Sequence, residues 1–286
     1  MFLTKYPHWL RIKYIKSKNI NIIKNIIKDQ KINTVCLNAL CPNLHDCFSR
    51  KTFTFLILGN KCTRKCKFCN IKQKLIPTKI DKTEPYVIVN VSKKIQANHI
   101  VLTSVTRDDL IDGGAQQFVN CIDLIKKEIP SSTQEILIPD FNESYFNINK
   151  IIYSKPNIIN HNVETVPRIF NKIRPYAKYK KSLQILTYIK KTNRKIITKT
   201  GIMLGLGETK KEIKRTIIDI KNAMVDILII GQYLKPSRKH YNIYRYISID
   251  EFNEYNSFAK KLNFMEVNSF PLARSSYNKK IYNIVK

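Results

Sequence analysis

Six of the chain's seven cysteines fall between residues 36 and 69, in two groups of three: Cys36, Cys41 and Cys47, then Cys62, Cys66 and Cys69. Three thiolates are one short of a structural zinc site, which closes around four soft or imidazole ligands. They are also one short of the four corners of a 4Fe–4S cube. Each triad therefore leaves a corner for something else, either a substrate or a non-cysteine ligand. Two such triads suggest two clusters placed for chemistry rather than a structural staple.

The 286-residue chain carries 51 Lys plus Arg against 21 Asp plus Glu, a formal net charge of +30. Its length allows one large domain, such as a single α/β barrel, or two small ones, and suffices to bury a core without help from disulfides or metals. No apolar stretch approaches the length of a spanning helix, so no membrane association is expected. The residues before Asp29 are basic and acid-poor, with apolar patches broken by Lys and Asn. They lack a secretory pattern, and their sparse Arg and Ser speak against an organellar one. A cytoplasmic location follows, where clustered thiols read as metal ligands rather than disulfides. The basic residues are scattered among Ile and Asn over the whole length, as A+T-rich compositional drift would leave them. An acidic protein partner is thus expected ahead of nucleic acid.

The ligands need elements to position them. Ile20, Ile22, Ile23, Ile26 and Ile27 have helical spacing and predict a helix over 19–28. The first triad, with Pro42 and Asn43 inside it, reads as a loop. Residues 52–58 read as a strand that ends at Gly59 and runs straight into the second triad. A barrel offers chemistry at its C-terminal face in this way. Further strand-like runs occupy 99–103, 135–138, 157–160, 196–204 and 226–230, with a weaker one at 264–267. Helical patterns lie between most of them, and Thr209 with Glu212 and Ser248 with Glu251 read as capping boxes. The alternation predicts parallel strands with right-handed crossovers. The expected fold is α/β, an incomplete (β/α)6 TIM-like barrel over 51–262, with an N-terminal extension over 1–50 and a C-terminal segment over 263–286.

The second triad, CTRKCKFC, has the spacing C-x3-C-x2-C, and Phe68 stands just before Cys69. One loop of this kind can wrap three irons of a cube and leave the fourth open; half of a zinc site completed elsewhere is the alternative. The motif resembles the radical S-adenosylmethionine superfamily. The first triad, CLNALCPNLHDC, has the spacing C-x4-C-x5-C. Together the two resemble the lipoyl synthase family, and the likeness extends along the chain. It includes PHWLRIK at 7–13, VLTSVTRDDLIDGGAQQF, NHNVETVPRIF, GIMLGLGET, GQYLKPSRKH and RSSY at 274–277.

The resemblance implies specific roles. Cys62, Cys66 and Cys69 would hold the 4Fe–4S cluster that cleaves S-adenosylmethionine, and Cys36, Cys41 and Cys47 a second, sacrificial one. The fourth ligand of the second cluster would be Ser276, a hard alkoxide that binds weakly among soft thiolates. The implied reaction inserts sulfur at C6 and C8 of a protein-bound octanoyl-lysine. The implied partners are octanoylated carrier domains (2-oxoacid dehydrogenase E2 subunits and the glycine cleavage H protein), a reduced flavodoxin or ferredoxin, and an iron–sulfur carrier. A radical enzyme that methylthiolates RNA is the alternative, but its family spaces the N-terminal cysteines tens of residues apart and adds an RNA-binding domain.

Other residues keep two readings. Gly113 and Gly114 resemble the superfamily's contact to the cofactor amino group, or form a plain turn before a helix. Gly205 and Gly207 are too few for a dinucleotide fingerprint and read as a tight turn. His161 faces the site or is a satisfied structural histidine. Cys121 reads as core. Arg274 lies near the second cluster or orders the C-terminal segment. The chain departs from the family at residues 37–40, where an acid is missing, at Phe270 in place of a glycine, and at Asn278 and Lys279.

Overall fold

Ser17 accepts the Asn19 N–H at 3.3 Å and so starts the first helix, α1 (Lys18–Asp29). Its apolar positions bury Ile20, Ile23 and Ile27 and leave Ile22 exposed. The first triad departs from the expected loop. The Thr34 side chain accepts the Cys36 N–H at 3.2 Å and caps a short helix, α2 (Val35–Asn38). Cys47 lies on a second, α3 (Leu44–Ser49). Only residues 39–43 remain irregular, around Pro42 and Asn43, because the Thr34 cap satisfies the first turn of α2 before them. The structure, a computed structural model, describes residues 7–10, 15–75, 77 and 79–277. Arg11, Ile12, Lys13, Asn278 and Lys279 thus lie outside the described residues.

Strand β1 (Thr54–Ile57) leads into the second triad, flanked by two short strands, β2 (Lys61–Cys62) and β3 (Lys72–Gln73), which pair in parallel. Then follow α4 (Glu84–Lys94), β4 (His99–Ser104), α5 (Ala115–Glu128), β5 (Thr133–Leu137), α6 (Tyr145–Tyr153) and β6 (Ile158–Asn160). Next come α7 (Pro167–Ile173), α8 (Tyr179–Thr192), β7 (Ile197–Leu204), α9 (Lys210–Asn222), β8 (Ile227–Gln232), α10 (Ile249–Lys261) and β9 (Glu266–Ser269).

Seven of these strands form one wholly parallel sheet in the order β1-β4-β5-β6-β7-β8-β9. Strand order therefore follows chain order, with a helical crossover in each step. The first six strands carry the six expected units, and the weak run near 264–267 supplies the seventh strand. With β1 and β9 at the sheet's edges, the fold is an incomplete barrel. Both helix caps form, but one is half of what was expected. Thr209 and Glu212 make a full capping box. Ser248 accepts the Glu251 N–H at 3.2 Å, while the Glu251 carboxylate turns to Arg245 and Tyr255. An arginine six residues upstream competes for it successfully.

Alternate strand residues serve two cores. On the outer face, Ile159, Leu228 and Ile230 pack with helix residues such as Ile185, Ile217 and Phe252. On the inner face, Ile158, Ile227 and Ile229 pack with Ala273, which arrives from beyond β9. Beside them lies a buried ion pair, with Lys199 Nζ 2.9 Å from both Glu135 carboxylate oxygens. Burial alone would raise the Glu135 carboxyl, but Lys199 and His99 bring it down to about 2. The C-terminal segment turns back over the open side of the barrel, where the Gln232 N–H donates to the Pro271 carbonyl at 2.9 Å.

Candidate active site

All six triad cysteines line one cavity of about 400 Å³, and so do Arg274, Ser275, Ser276 and Tyr277. Positions that span residues 36 to 277 therefore meet at one site. Among the described residues, no three His, Cys, Asp or Glu side chains group as ligands of a single metal ion. Instead, each set of three thiols opens onto shared space, and no described cysteine is in a disulfide.

The second triad is positioned by the end of β1. Leu58 adopts the left-handed region (φ 66°), and its N–H donates to the Glu84 carboxylate at 3.1 Å. Cys62 Sγ then accepts N–H groups from Arg64 at 3.4 Å and Thr106 at 3.3 Å. The rest of the loop is tied down by backbone. The Lys67 N–H donates to the Ile173 carbonyl at 2.8 Å, and the Tyr241 N–H to the Lys67 carbonyl at 2.8 Å. His240 Nε2 lies 3.1 Å from the Cys69 carbonyl oxygen.

The first triad is fastened to the C-terminal segment. Asn43 Nδ2 donates to the Leu272 carbonyl at 2.7 Å, and Tyr277 Oη to Asp46 Oδ2 at 2.7 Å. Arg50 pairs with Asp46 at 2.8 Å and lies over the Tyr277 ring. Phe270, where the family often has glycine, packs edge-on to the same ring. Asn70 Nδ2 donates to the Asn38 carbonyl at 2.8 Å and joins the two triads' segments directly. Within RSSY, the Ser275 hydroxyl donates to Asn162 Oδ1 at 2.8 Å, while Ser276 lines the cavity.

Burial pushes the Cys36 and Cys41 thiols up, Cys47 and Cys66 up to about 12 and Cys69 up to about 11. Thiol neighbours in the same triad add to the rise at Cys36, Cys47, Cys66 and Cys69. Three cations oppose it, Arg174 at Cys66, Arg274 at Cys41 and Arg50 at Cys47. A coordinating metal deprotonates such thiols outright and takes their charge. Two groups of soft donors, buried or half-buried at the cavity wall and with arginines beside each, fit iron–sulfur clusters.

The motif NHNVETVPRIF contributes more than was read from it. His161 is structural: its ring nitrogens lie 3.1 Å from the Ile138 carbonyl and 3.2 Å from Ser182 Oγ. Burial, with Arg174 nearby, lowers its pKa to about 4. Asn162 and Glu164, one and three residues on, line the cavity with Arg174. Burial raises the Glu164 carboxyl, against the pull of Arg174. The signal that would have found them is alternation past the strand end, since His161 turned away leaves Asn162 and Glu164 turned in. Gly113 and Gly114 are not among the lining residues. A Cβ on Gly114 (φ 88°) would lie 2.2 Å from Leu58 Cδ1, so Gly114 bears on the site through the residue that begins the ligand loop, while Gly113 packs against Phe141. Gly205 and Gly207, both at positive φ, form the turn after β7. Cys121 is core.

Residues 56–220 match the family model of the Radical SAM superfamily. A lipoyl synthase of Caldicellulosiruptor saccharolyticus is 46% identical over 277 residues, 97% of each chain. One of Alkaliphilus metalliredigens is 45% identical over 278 residues, 97% of this chain and 96% of that one. Among solved structures, Streptococcus suis SuiB bound to S-adenosylmethionine aligns over 80% of this chain and 55% of that one, with TM-score 0.61 and 10% identity. Methylornithine synthase (PylB) aligns over 93% and 82%, with TM-score 0.52 and 14% identity. At those identities the two structures share only the fold, the open parallel barrel seen here. The sequence relatives carry both triads' worth of chain, and by them the protein belongs to the lipoyl synthase family of radical S-adenosylmethionine enzymes.

Proposed function

We propose that the enzyme converts an octanoyl group, amide-linked to a lysine of a carrier domain, into the lipoyl group by inserting sulfur at C6 and then C8. Its cofactors are S-adenosylmethionine and two 4Fe–4S clusters, which when bound supply a hydrogen-abstracting radical and the two sulfur atoms. Cys62, Cys66 and Cys69 hold the cluster that meets S-adenosylmethionine; Cys36, Cys41, Cys47 and Ser276 hold the other. The single observation that carries this reading is the shared cavity: both triads and the RSSY residues open onto it.

The chain's own residues have definable tasks in this reading. Arg174 and Arg274 offset thiolate charge, each at its own triad. Ser275 is engaged by Asn162, which leaves Ser276 as the hydroxyl available to the cavity. Asn70, Asn43 and Tyr277 lock the two ligand segments and the C-terminus together, so the spacing between sulfur source and radical source is set before substrate enters. Gly114 serves the cofactor site indirectly, through Leu58, and Gly113 shapes the turn against Phe141. The division at 50/51 and 262/263 marks the parts that supply the two triads and the closing segment.

The carrier domains of 2-oxoacid dehydrogenase E2 subunits and the glycine cleavage H protein are the proposed substrates. A reduced flavodoxin or ferredoxin would supply electrons, and an iron–sulfur carrier would rebuild the spent cluster, all in the cytoplasm. Among the described residues no helix is long and apolar enough to cross a membrane. The test is anaerobic turnover on an octanoylated carrier peptide, read by mass. Product with two added sulfur atoms supports the proposal; cofactor cleavage with no sulfur transfer to this peptide would overturn the substrate assignment.

A further inference from the structure

Arg64 lies between the first two cysteines of the C-x3-C-x2-C loop, yet its side chain turns into the protein and is only 8% exposed. Nε and Nη2 each donate to the Asp108 carboxylate at 2.7 Å. Nη1 donates to Asp140 Oδ2 at 2.7 Å, and Nη2 also reaches Asn142 Oδ1 at 2.7 Å. Asp108 follows β4, and Asp140 and Asn142 follow β5. One guanidinium thus fastens the ligand loop of β1 to the ends of the next two strands.

One far end of this clasp holds strained backbone, and the other reaches the Cys62 sulfur. After β5, Phe141, Asn142 and Glu143 stand at φ 47°, 52° and 63°, three successive non-glycine residues in the left-handed region. Such backbone persists only where its surroundings impose it. Here Asp140 accepts the Asn142 N–H at 3.2 Å and Arg64 holds the Asn142 side chain. After β4, Thr106 stands two residues before Asp108, and its N–H is one of the two donors to Cys62 Sγ. The other is the Arg64 N–H itself.

We infer that Arg64 is a positioning residue whose clasp keeps both N–H donors on the Cys62 sulfur and so sets the reduction potential of the cluster held there. Two carboxylates outweigh its single positive charge, so its field cannot favour the reduced cluster and its effect comes through geometry. N–H groups directed at a ligand sulfur favour the reduced cluster and raise its potential. Arginine is required because only a planar fork serves three acceptors at once; a lysine would keep the charge and lose the fit. The inference rests on Cys62, Cys66 and Cys69 being cluster ligands.

The experiment compares wild type, Arg64→Lys, Asp108→Glu and Arg168→Lys after anaerobic reconstitution. Arg168 makes a similar two-pronged contact, with Glu212, on the exposed outer surface, and serves as the control. Iron content is read first: a wild-type chain without iron on the second triad would sink the ligand reading itself. Given iron in all four, Arg64→Lys should lower the cluster's midpoint potential and speed amide exchange over residues 61–75. It should also slow S-adenosylmethionine cleavage by about 10- to 100-fold. Asp108→Glu, which keeps the charge and displaces the carboxylate, should move the same three readouts in the same direction by less, and it carries the test alone if Arg64→Lys does not fold. Arg168→Lys should match wild type. Wild-type potential and wild-type exchange in Arg64→Lys and Asp108→Glu, whatever their melting temperatures, would overturn the inference.

Discussion

Gly231 and Ala273 are in contact through the barrel's inner face. A Cβ on Gly231 would lie 2.2 Å from the Ala273 carbonyl oxygen, and its neighbour Gly201 is similarly close to Ser275 Oγ. Bare strand positions on β7 and β8 therefore admit the C-terminal segment that brings Arg274 to Tyr277 into the cavity.

Gly231→Ala should displace that segment, because the clash is with backbone and no side chain can rotate away. The barrel and the second triad do not depend on it. The variant should bind about half the wild-type iron, keep S-adenosylmethionine cleavage, and lose sulfur insertion. Iron and sulfide analysis with a 5′-deoxyadenosine assay checks all three. Full iron content with full sulfur insertion would show that the segment tolerates a methyl group there.

The two triads should separate by function. Cys66→Ala should abolish 5′-deoxyadenosine formation, whereas Cys41→Ala should leave it and stop sulfur insertion. Both thiols are half-buried and raised in pKa, so neither change removes a thiolate that stabilises the metal-free fold. Dithiolane product from the Cys41 variant would reverse the assignment of the first triad.

Much of this was legible in the residues. Every strand-like run became a strand within a few positions, since parallel strands buried on both faces read as short apolar runs. The triads were legible because ligand spacing is local. What escaped notice acts across the chain. Thr34 as the cap of α2, Asn70 reaching Asn38, and Arg64 clasping Asp140 depend on neighbours that only the fold brings together. Arg174 was hidden for the same reason: nothing in its own segment points to Cys66. Lys199 and Glu135 were hidden because a charge in a strand is expected to face water, and these two face each other.

That buried pair should be costly to break and cheap to remove. Lys199→Met leaves the Glu135 carboxylate buried with only His99 and Asn160 nearby, and should destabilise by about 3–5 kcal/mol. The double variant with Glu135→Leu should recover a large part of the loss, since the site then holds apolar groups of similar volume. Denaturant unfolding of the single and double variants measures the coupling. Additive losses would mean that the two side chains act independently.

His161 gives the fold a pH dependence of known sign. Its folded pKa, about 4, lies below its ordinary 6.5, because burial and Arg174 disfavour the imidazolium. The unfolded chain therefore takes up a proton between pH 6.5 and 4 that the folded chain refuses. The stability His161 contributes is complete above 6.5 and is lost as pH falls through that window. Glu135, brought from 4.5 down to about 2, contributes stability that is lost only at lower pH, between 4.5 and 2. Unfolding midpoints at pH 7, 5.5 and 4.5 separate the two. Wild type should weaken over that range, and His161→Gln, which cannot titrate, should follow a flatter profile before both fall in stronger acid. Parallel profiles for wild type and His161→Gln between pH 7 and 4.5 would place the titrating group elsewhere.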